Sequence, residues 1–132
     1  MKPTHPVELL ACAIATQEGW FVPGTIPSKR KNPGDLRYAQ QVGATRPDGT
    51  GGPVHPNVLE PVAVFSSKAL GYAALFRQLW LQVAHGQTVR QIVNEWDNVP
   101  GYLQDVLQWT GLPADVPVLE LLPPLVQLNL TS

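Results

Sequence analysis

The chain has 132 residues, of which 44% are hydrophobic and only 14% charged, enough apolar side chain for a core and too much for global disorder. A formal net charge of −1 leaves no basic footprint for general nucleic-acid binding. A single cysteine excludes an internal disulfide framework and a multi-cysteine zinc site, and no apolar run reaches the roughly 20 residues of a membrane span, so no stable membrane insertion is expected.

The first helix is expected over residues 6–19. Pro6 suits the first helical position, Glu8 sits in the first turn where the dipole favours it, and Gly19 is a natural stop. Val7, Leu10, Ile14 and Glu18 fall on one stripe at 3.6 residues per turn. Residues 20–66 have no helical period and are punctuated by turn signals such as Pro23-Gly24, Asn32-Pro33-Gly34, Asp48-Gly49 and Gly51-Gly52-Pro53. Two strands are predicted there, Leu36–Thr45 and Val62–Phe65. Ser66 or Ser67 caps a helix running to about His85, with Leu75, Leu79 and Val83 on one face and Gly86 as terminator. Thr88-Val89-Arg90-Gln91 matches a capping box that opens a short helix to about Trp96. Another helix spans Pro100 to about Thr110, ended by Gly111. Asp115-Val116-Pro117 opens a last one, which Pro123-Pro124 breaks, and Leu125, Val126, Leu128 and Leu130 form a packing tail. The pattern predicts one mainly α domain (α+β) over residues 1–132, with a small loop and β insert after the first helix.

Glu18 is the most informative residue. A carboxyl group placed against Ile14, Trp20 and Phe21 loses hydration, and desolvation favours its protonated form. That is what a general acid for glycosidic cleavage requires; the alternative is a helix-end Glu turned to water. Beyond the Asn-Pro-Gly turn, whose glycine permits a positive φ, Arg37 and Tyr38 alternate along the predicted strand. A guanidinium fork and a flat ring with a hydroxyl both suit a sugar polymer bearing carboxylates and acetamido groups. An ion pair from Arg37 to Asp35, and ordinary packing of Tyr38, are the competing readings. Trp20, beside Glu18, could stack on a sugar ring, whereas Trp80, Trp96 and Trp109 lie in helical patterns and are assigned to the core. His5, His55 and His85 have no metal-ligand spacing, and Cys12 is core filler. No metal or other cofactor is implied.

Ala13-Ile14-Ala15-Thr16-Gln17-Glu18-Gly19-Trp20, followed by Lys31-Asn32-Pro33-Gly34-Asp35-Leu36-Arg37-Tyr38, resembles the phage and prophage branch of the lysozyme-like superfamily. That branch groups with lytic transglycosylases and goose-type lysozymes. Phe65-Ser66-Ser67-Lys68-Ala69-Leu70-Gly71-Tyr72-Ala73-Ala74-Leu75 is similar to the family's approach to its central helix. Thr88–Trp96 and Tyr102-Leu103-Gln104-Asp105-Val106 look like its later helices, so the resemblance covers most of residues 7–122. Four features depart from the pattern. Asp35 stands where the family more often has Asn, Glu18 is followed by Gly19 where many transglycosylases have Ser, the Gly-Leu-Met-Gln stretch of the secreted transglycosylases is replaced by Asn32–Arg37, and the proline- and glycine-rich Val42–Pro61 does not align.

The resemblance implies a lysozyme-like fold and cleavage of the β-1,4 bonds of peptidoglycan between N-acetylmuramic acid and N-acetylglucosamine. Glu18 is then the catalytic acid and base. Trp20, Asn32, Asp35, Arg37, Tyr38 and Tyr102 are candidate substrate-binding residues. The partners would be glycan strands, not nucleic acid, and the protein a monomer. Hydrolysis by an inverting route wants a second carboxylate about 6.5–9.5 Å from the acid; Asp35 and Asp48 are the loop acids near in sequence, and neither spacing marks a partner. A transglycosylase needs only the one Glu. The alternative to an enzyme is a lysozyme-like protein that has lost catalysis and binds sugar or builds a virion, since fold does not fix function; a helical interaction module of unrelated fold is a third. Met1-Lys2-Pro3-Thr4-His5-Pro6 shows no apolar stretch ending in a cleavage site. Synthesis in the cytoplasm is therefore expected, with the wall reached by signal-independent export, lysis or virion delivery.

Overall fold

The first helix, α1, runs Pro6–Gln17 and buries the predicted stripe: Val7, Leu10 and Ile14 are at most 1% exposed. Each such side chain contributes about 2 kcal/mol of transfer free energy. The His5 ring nitrogen Nδ1 accepts from the Val7 N–H (3.2 Å), satisfying one of the free donors of the first turn. This computed structural model describes residues 3–123, so the tail expected from Leu125 to Leu130 lies outside the described residues. Five α-helices, a 3-10 turn and one two-stranded sheet make up its regular structure. The chain divides into two units, Ile14–Phe76 and the segments Met1–Ala13 with Arg77–Ser132.

In the Ile14–Phe76 unit, a single-turn helix α2 spans Ile26–Lys29, a turn the periodicity did not predict. Its cap is Thr25, and Pro27 sits in its first turn. The strands are β1, Ala44–Thr45, and β2, Val64–Phe65, paired antiparallel with Ala44 opposite Phe65 and Thr45 opposite Val64. The predicted strand Leu36–Thr45 is therefore corrected. Only Arg37, bridged to Val62, and the last two residues pair with a neighbouring strand. Asp35 (φ 51°) and Gln40 (φ 61°) take left-handed backbone, which extended pairing does not tolerate. Tyr38, Ala63 and Phe65 form one hydrophobic cluster of this unit, with Ala44, Leu70 and Ala74 packed against it.

Helix α3 spans Lys68–Ala84, and Ser67 Oγ accepts from the Leu70 N–H (3.2 Å) as its cap. Its face Leu75, Leu79, Val83 is wholly buried, and Gly86 (φ 80°) ends it. Helix α4, Val89–Trp96, carries both hydrogen bonds of the predicted capping box. It packs against α5, Tyr102–Thr110, which Gly111 ends in left-handed backbone. The helix expected from Asp115 is instead a 3-10 turn, Val118–Leu121. Pro117 bridges Thr88, and the Val118 N–H donates to the Gln87 carbonyl (3.0 Å), so the start of that segment is spent on a strand-like contact.

Candidate functional site

Glu18 is the last residue held by α1: its N–H donates to the Ile14 carbonyl at 2.9 Å. The helix then closes with two reverse bonds, Gly19 N–H to the Thr16 carbonyl (3.1 Å) and Trp20 N–H to the Ala15 carbonyl (3.0 Å). This is a Schellman closure, and Gly19 takes the left-handed position it requires (φ 87°). Thr25 secures the far side, its hydroxyl 2.8 Å from the Gly19 carbonyl and 3.0 Å from the Val22 carbonyl. The backbone of Glu18 is thus fixed from both directions. Its side chain is half-buried. Phe21, expected to help desolvate it, is 63% exposed. Trp20 is half-buried and meets the Tyr72 ring edge-on, centroids 5.4 Å apart.

The Asn-Pro-Gly turn forms, and Asn32 is its anchor. The Asp35 N–H closes the turn on the Asn32 carbonyl (3.1 Å). The Asn32 side chain, 0% exposed, donates to the Leu36 and Ala63 carbonyls and accepts from the Leu36 N–H, all at 2.9 Å. Three bonds of one amide tie the turn to the strand segment beyond it. Asn32 is a clamp facing inward, with its amide spent on backbone partners. At Gly71, α3 touches the same turn: a Cβ there would lie 2.0 Å from the Lys31 carbonyl oxygen, so only glycine fits.

Tyr38 also faces inward. It is 3% exposed, its hydroxyl donates to the Gly52 carbonyl (2.6 Å), and the Arg46 guanidinium covers its ring at 4.4 Å. These contacts fit the packing alternative for Tyr38. Arg37 is exposed, and its Nη1 donates to the Glu60 carbonyl (2.9 Å). Asp35 is half-buried in its left-handed conformation. Tyr102, buried at the start of α5, belongs to the other unit. Trp109 is 39% exposed rather than in the core. Trp80 packs beside the His5 ring, centroids 5.7 Å apart.

The segment 61–66 is bonded on both edges. From its odd residues, the Ala63 and Phe65 N–H groups donate to Leu36 and Arg30, and the Pro61 carbonyl accepts from Tyr38. Its even residues face β1: Val64 pairs with Thr45, and the Ser66 N–H donates to the Gly43 carbonyl (2.9 Å). On that edge Arg30 Nη1 also reaches the Val62 carbonyl (3.1 Å).

Sequence reasoning missed the centre of the insert. Arg46 is 6% exposed, and its Nε lies 3.0 and 3.2 Å from the two carboxylate oxygens of Glu60, itself 5% exposed. Its other nitrogens donate to the Gly51 and Pro53 carbonyls (2.8 Å each) and to the Thr50 hydroxyl (3.4 Å). His55 Nδ1 stands 3.2 Å from Glu60 Oε1. The Arg46 hydrogen bonds hold the Glu60 carboxyl below its ordinary value, against the desolvation that pushes it up. Asp48 is lowered as well, by accepting from the Thr50 hydroxyl and N–H at 2.7 and 2.9 Å. Burial pushes the Cys12 thiol up, as does nearby Glu8. Among the described residues, no three His, Cys, Asp or Glu side chains gather into a metal-holding group.

Compared with protein-family models, with curated proteins and with solved structures, the chain matches none.

Proposed function

We propose that this chain is a lysozyme-like protein that cleaves the β-1,4 glycosidic bonds of peptidoglycan, with Glu18 as the general acid. The observation that carries the reading is the setting of Glu18. It is a half-buried carboxyl residue at the closed end of a buried helix, its backbone fixed by a Schellman closure and by Thr25, in one unit with the Asn-Pro-Gly turn. A fixed acid at a helix end can hand its proton to a leaving oxygen without first being ordered. Two details of the turn also support it. Position 35 has left-handed backbone, which suits the Asn the family more often has there. Gly71, in the segment similar to the family's central helix, gives the turn the room it needs.

Two of the three other loop acids are engaged elsewhere, which leaves Asp35 as the one to test for a second carboxylate. Glu60 is buried against Arg46, and Asp48 is tied to Thr50. Neither is free to take up a nucleophile's place. After Glu18 protonates the leaving oxygen, the same carboxylate becomes a base, and the 6-hydroxyl of the muramic acid residue closes an anhydro ring. Of the substrate contacts inferred from sequence, Trp20, Asp35 and Arg37 remain candidates within this unit.

The test is clearing of a purified peptidoglycan suspension by wild type and Glu18→Gln. The variant keeps the size of the side chain and removes the transferable proton. It should lose at least ~10²-fold in rate, with its melting temperature unchanged. Mass spectrometry of the released muropeptides should show anhydro ends, lighter by one water than hydrolysed ends. Wild-type-like clearing by the variant rejects Glu18. No clearing by wild type favours the non-catalytic reading, for which the inward-turned Asn32 and Tyr38 already speak.

A further inference from the structure

Residues 20–31 hold three exposed apolar side chains and three cations and no acid. Phe21, Val22 and Ile26 are 63%, 57% and 53% exposed. Lys29 and Lys31 are exposed too, while Arg30 is partly engaged with the Val62 carbonyl. The segment is firmly built. The Val22 N–H donates to the Gly19 carbonyl (3.0 Å), Thr25 bonds back to Gly19 and Val22, and the Lys29 N–H donates to the Thr25 carbonyl (2.9 Å). Pro27 is buried beneath, and the Asn32 N–H donates to its carbonyl (2.9 Å). An ordered segment that keeps three large apolar side chains in water is the usual mark of an interaction surface.

The charge says which kind. Residues 14–76 carry six Lys and Arg against four Asp and Glu, whereas the remaining segments carry three against six. Half of the six are Lys29, Arg30 and Lys31, in the same short segment of sequence as the apolar side chains. A soluble polyanion would satisfy the lysines and leave Phe21 and Ile26 in water. An apolar protein groove would take Phe21 and Ile26 and leave the lysines without a role. An anionic bilayer surface accepts both at once, alkyl groups at the headgroup–acyl boundary and cations at the phosphates. No helix among the described residues is long and apolar enough to cross a membrane, so any contact here is peripheral.

We propose that the loop from Phe21 to Lys31 docks reversibly on anionic lipid membranes, Phe21, Val22 and Ile26 entering the interface and Lys29 and Lys31 meeting lipid phosphates. The docking does not depend on the glycosidase reading or on Glu18. The experiment is flotation of the full chain with vesicles of phosphatidylcholine alone and of equimolar phosphatidylcholine and phosphatidylglycerol. Wild type should float with the second and stay behind with the first, and added salt should release it. The variant Phe21→Ser, Val22→Ser, Ile26→Ser should lose roughly tenfold in affinity, and Lys29→Gln with Lys31→Gln a similar factor. Should the triple variant fail to fold, Phe21→Ser alone, at roughly threefold, serves in its place. Absence of wild-type binding to the anionic vesicles overturns the proposal. So does binding that only the lysine changes reduce, which means a polyanion site, or that only the serine changes reduce, which means an apolar groove.

Discussion

Between Thr88 and Thr110 the buried side chains are Val89, Ile92, Val93, Tyr102, Val106 and Thr110. Polar side chains there act at the helix ends, as in the reciprocal bonds of Thr88 and Gln91. Between Arg30 and Ser66 the buried set is Asn32, Pro33, Gly34, Tyr38, Arg46, Glu60, Ala63 and Phe65. Here polar side chains act from the middle. Asn32 joins the turn to segment 61–66, and Arg46 gathers the backbone at 51 and 53 around one carboxylate. The difference lies in what a lost contact exposes. In the helical region deleting a cap such as Thr88 frees a helix end that water can satisfy. In the loop region it leaves buried donors and acceptors without partners, and such groups lose more than the bond itself was worth.

Arg46→Leu tests this contrast most severely. Leucine fills part of the space but leaves the Glu60 carboxylate 5% exposed with no guanidinium, while the Gly51 and Pro53 carbonyls lose their donors. Breaking one side of a buried pair is strongly destabilising. The melting temperature should fall further than for any other substitution discussed below, and limited proteolysis should cut within residues 47–60 first. The pair also sets an acid limit. The Glu60 carboxyl lies below its ordinary value of 4.5 in the folded chain, chiefly through the Arg46 hydrogen bonds. Its contribution is therefore complete above that value and is lost as pH falls through the lower, folded one. Thermal melts from neutral to acid pH should show this loss in wild type and a flatter profile in Arg46→Leu. Equal profiles would remove the pair as the centre of the insert.

Thr88→Ala is the counterpart in the helical region. It removes the bond from the Gln91 N–H to Thr88 Oγ1 (3.2 Å) and leaves the rest of α4 intact. The expected loss is about 1 kcal/mol, read from denaturant unfolding, with no new protease site between 47 and 60. A loss comparable to that of Arg46→Leu would erase the distinction between the two regions.

The same contrast explains what could be read from residues alone. Helices α1, α3, α4 and α5 end within about two residues of where their caps place them, because Gly19, Ser67, Gly86, Thr88 and Gly111 act on the adjoining turn. The loop region has no such local code. The partners of Arg46 are a hydroxyl, two carbonyls and a carboxylate four to fourteen residues away, and a carbonyl carries no residue identity. The Asn-Pro-Gly turn was legible as a turn. The direction of the Asn32 amide was not, because the same three residues would be written whether it met a ligand or the Ala63 carbonyl. For Tyr38 the two readings stayed open for a related reason: the side that meets water in an alternating strand is here covered by Arg46. Glu18 was placed correctly at the end of the buried stripe, since helix period and a glycine stop suffice for that.

Asp35→Asn has the smallest expected effect on stability and separates conformation from chemistry within the turn. Residue 35 has φ 51°, a region where a non-glycine residue is uncommon and where Asn is better tolerated than most. The Asp35 N–H bond to the Asn32 carbonyl is made by backbone and survives the change. Asparagine keeps the shape of the side chain and removes its charge. If the position is set by backbone conformation, stability should stay level or rise by a few tenths of a kcal/mol, and wall clearing should persist. If clearing falls by ~10²-fold while the melting temperature holds, the carboxylate itself takes part in the reaction, and the single-acid route centred on Glu18 must admit a second acid. A drop of more than about 1 kcal/mol would instead mean that the Asp35 charge is built into the loop region, as the charge of Glu60 is.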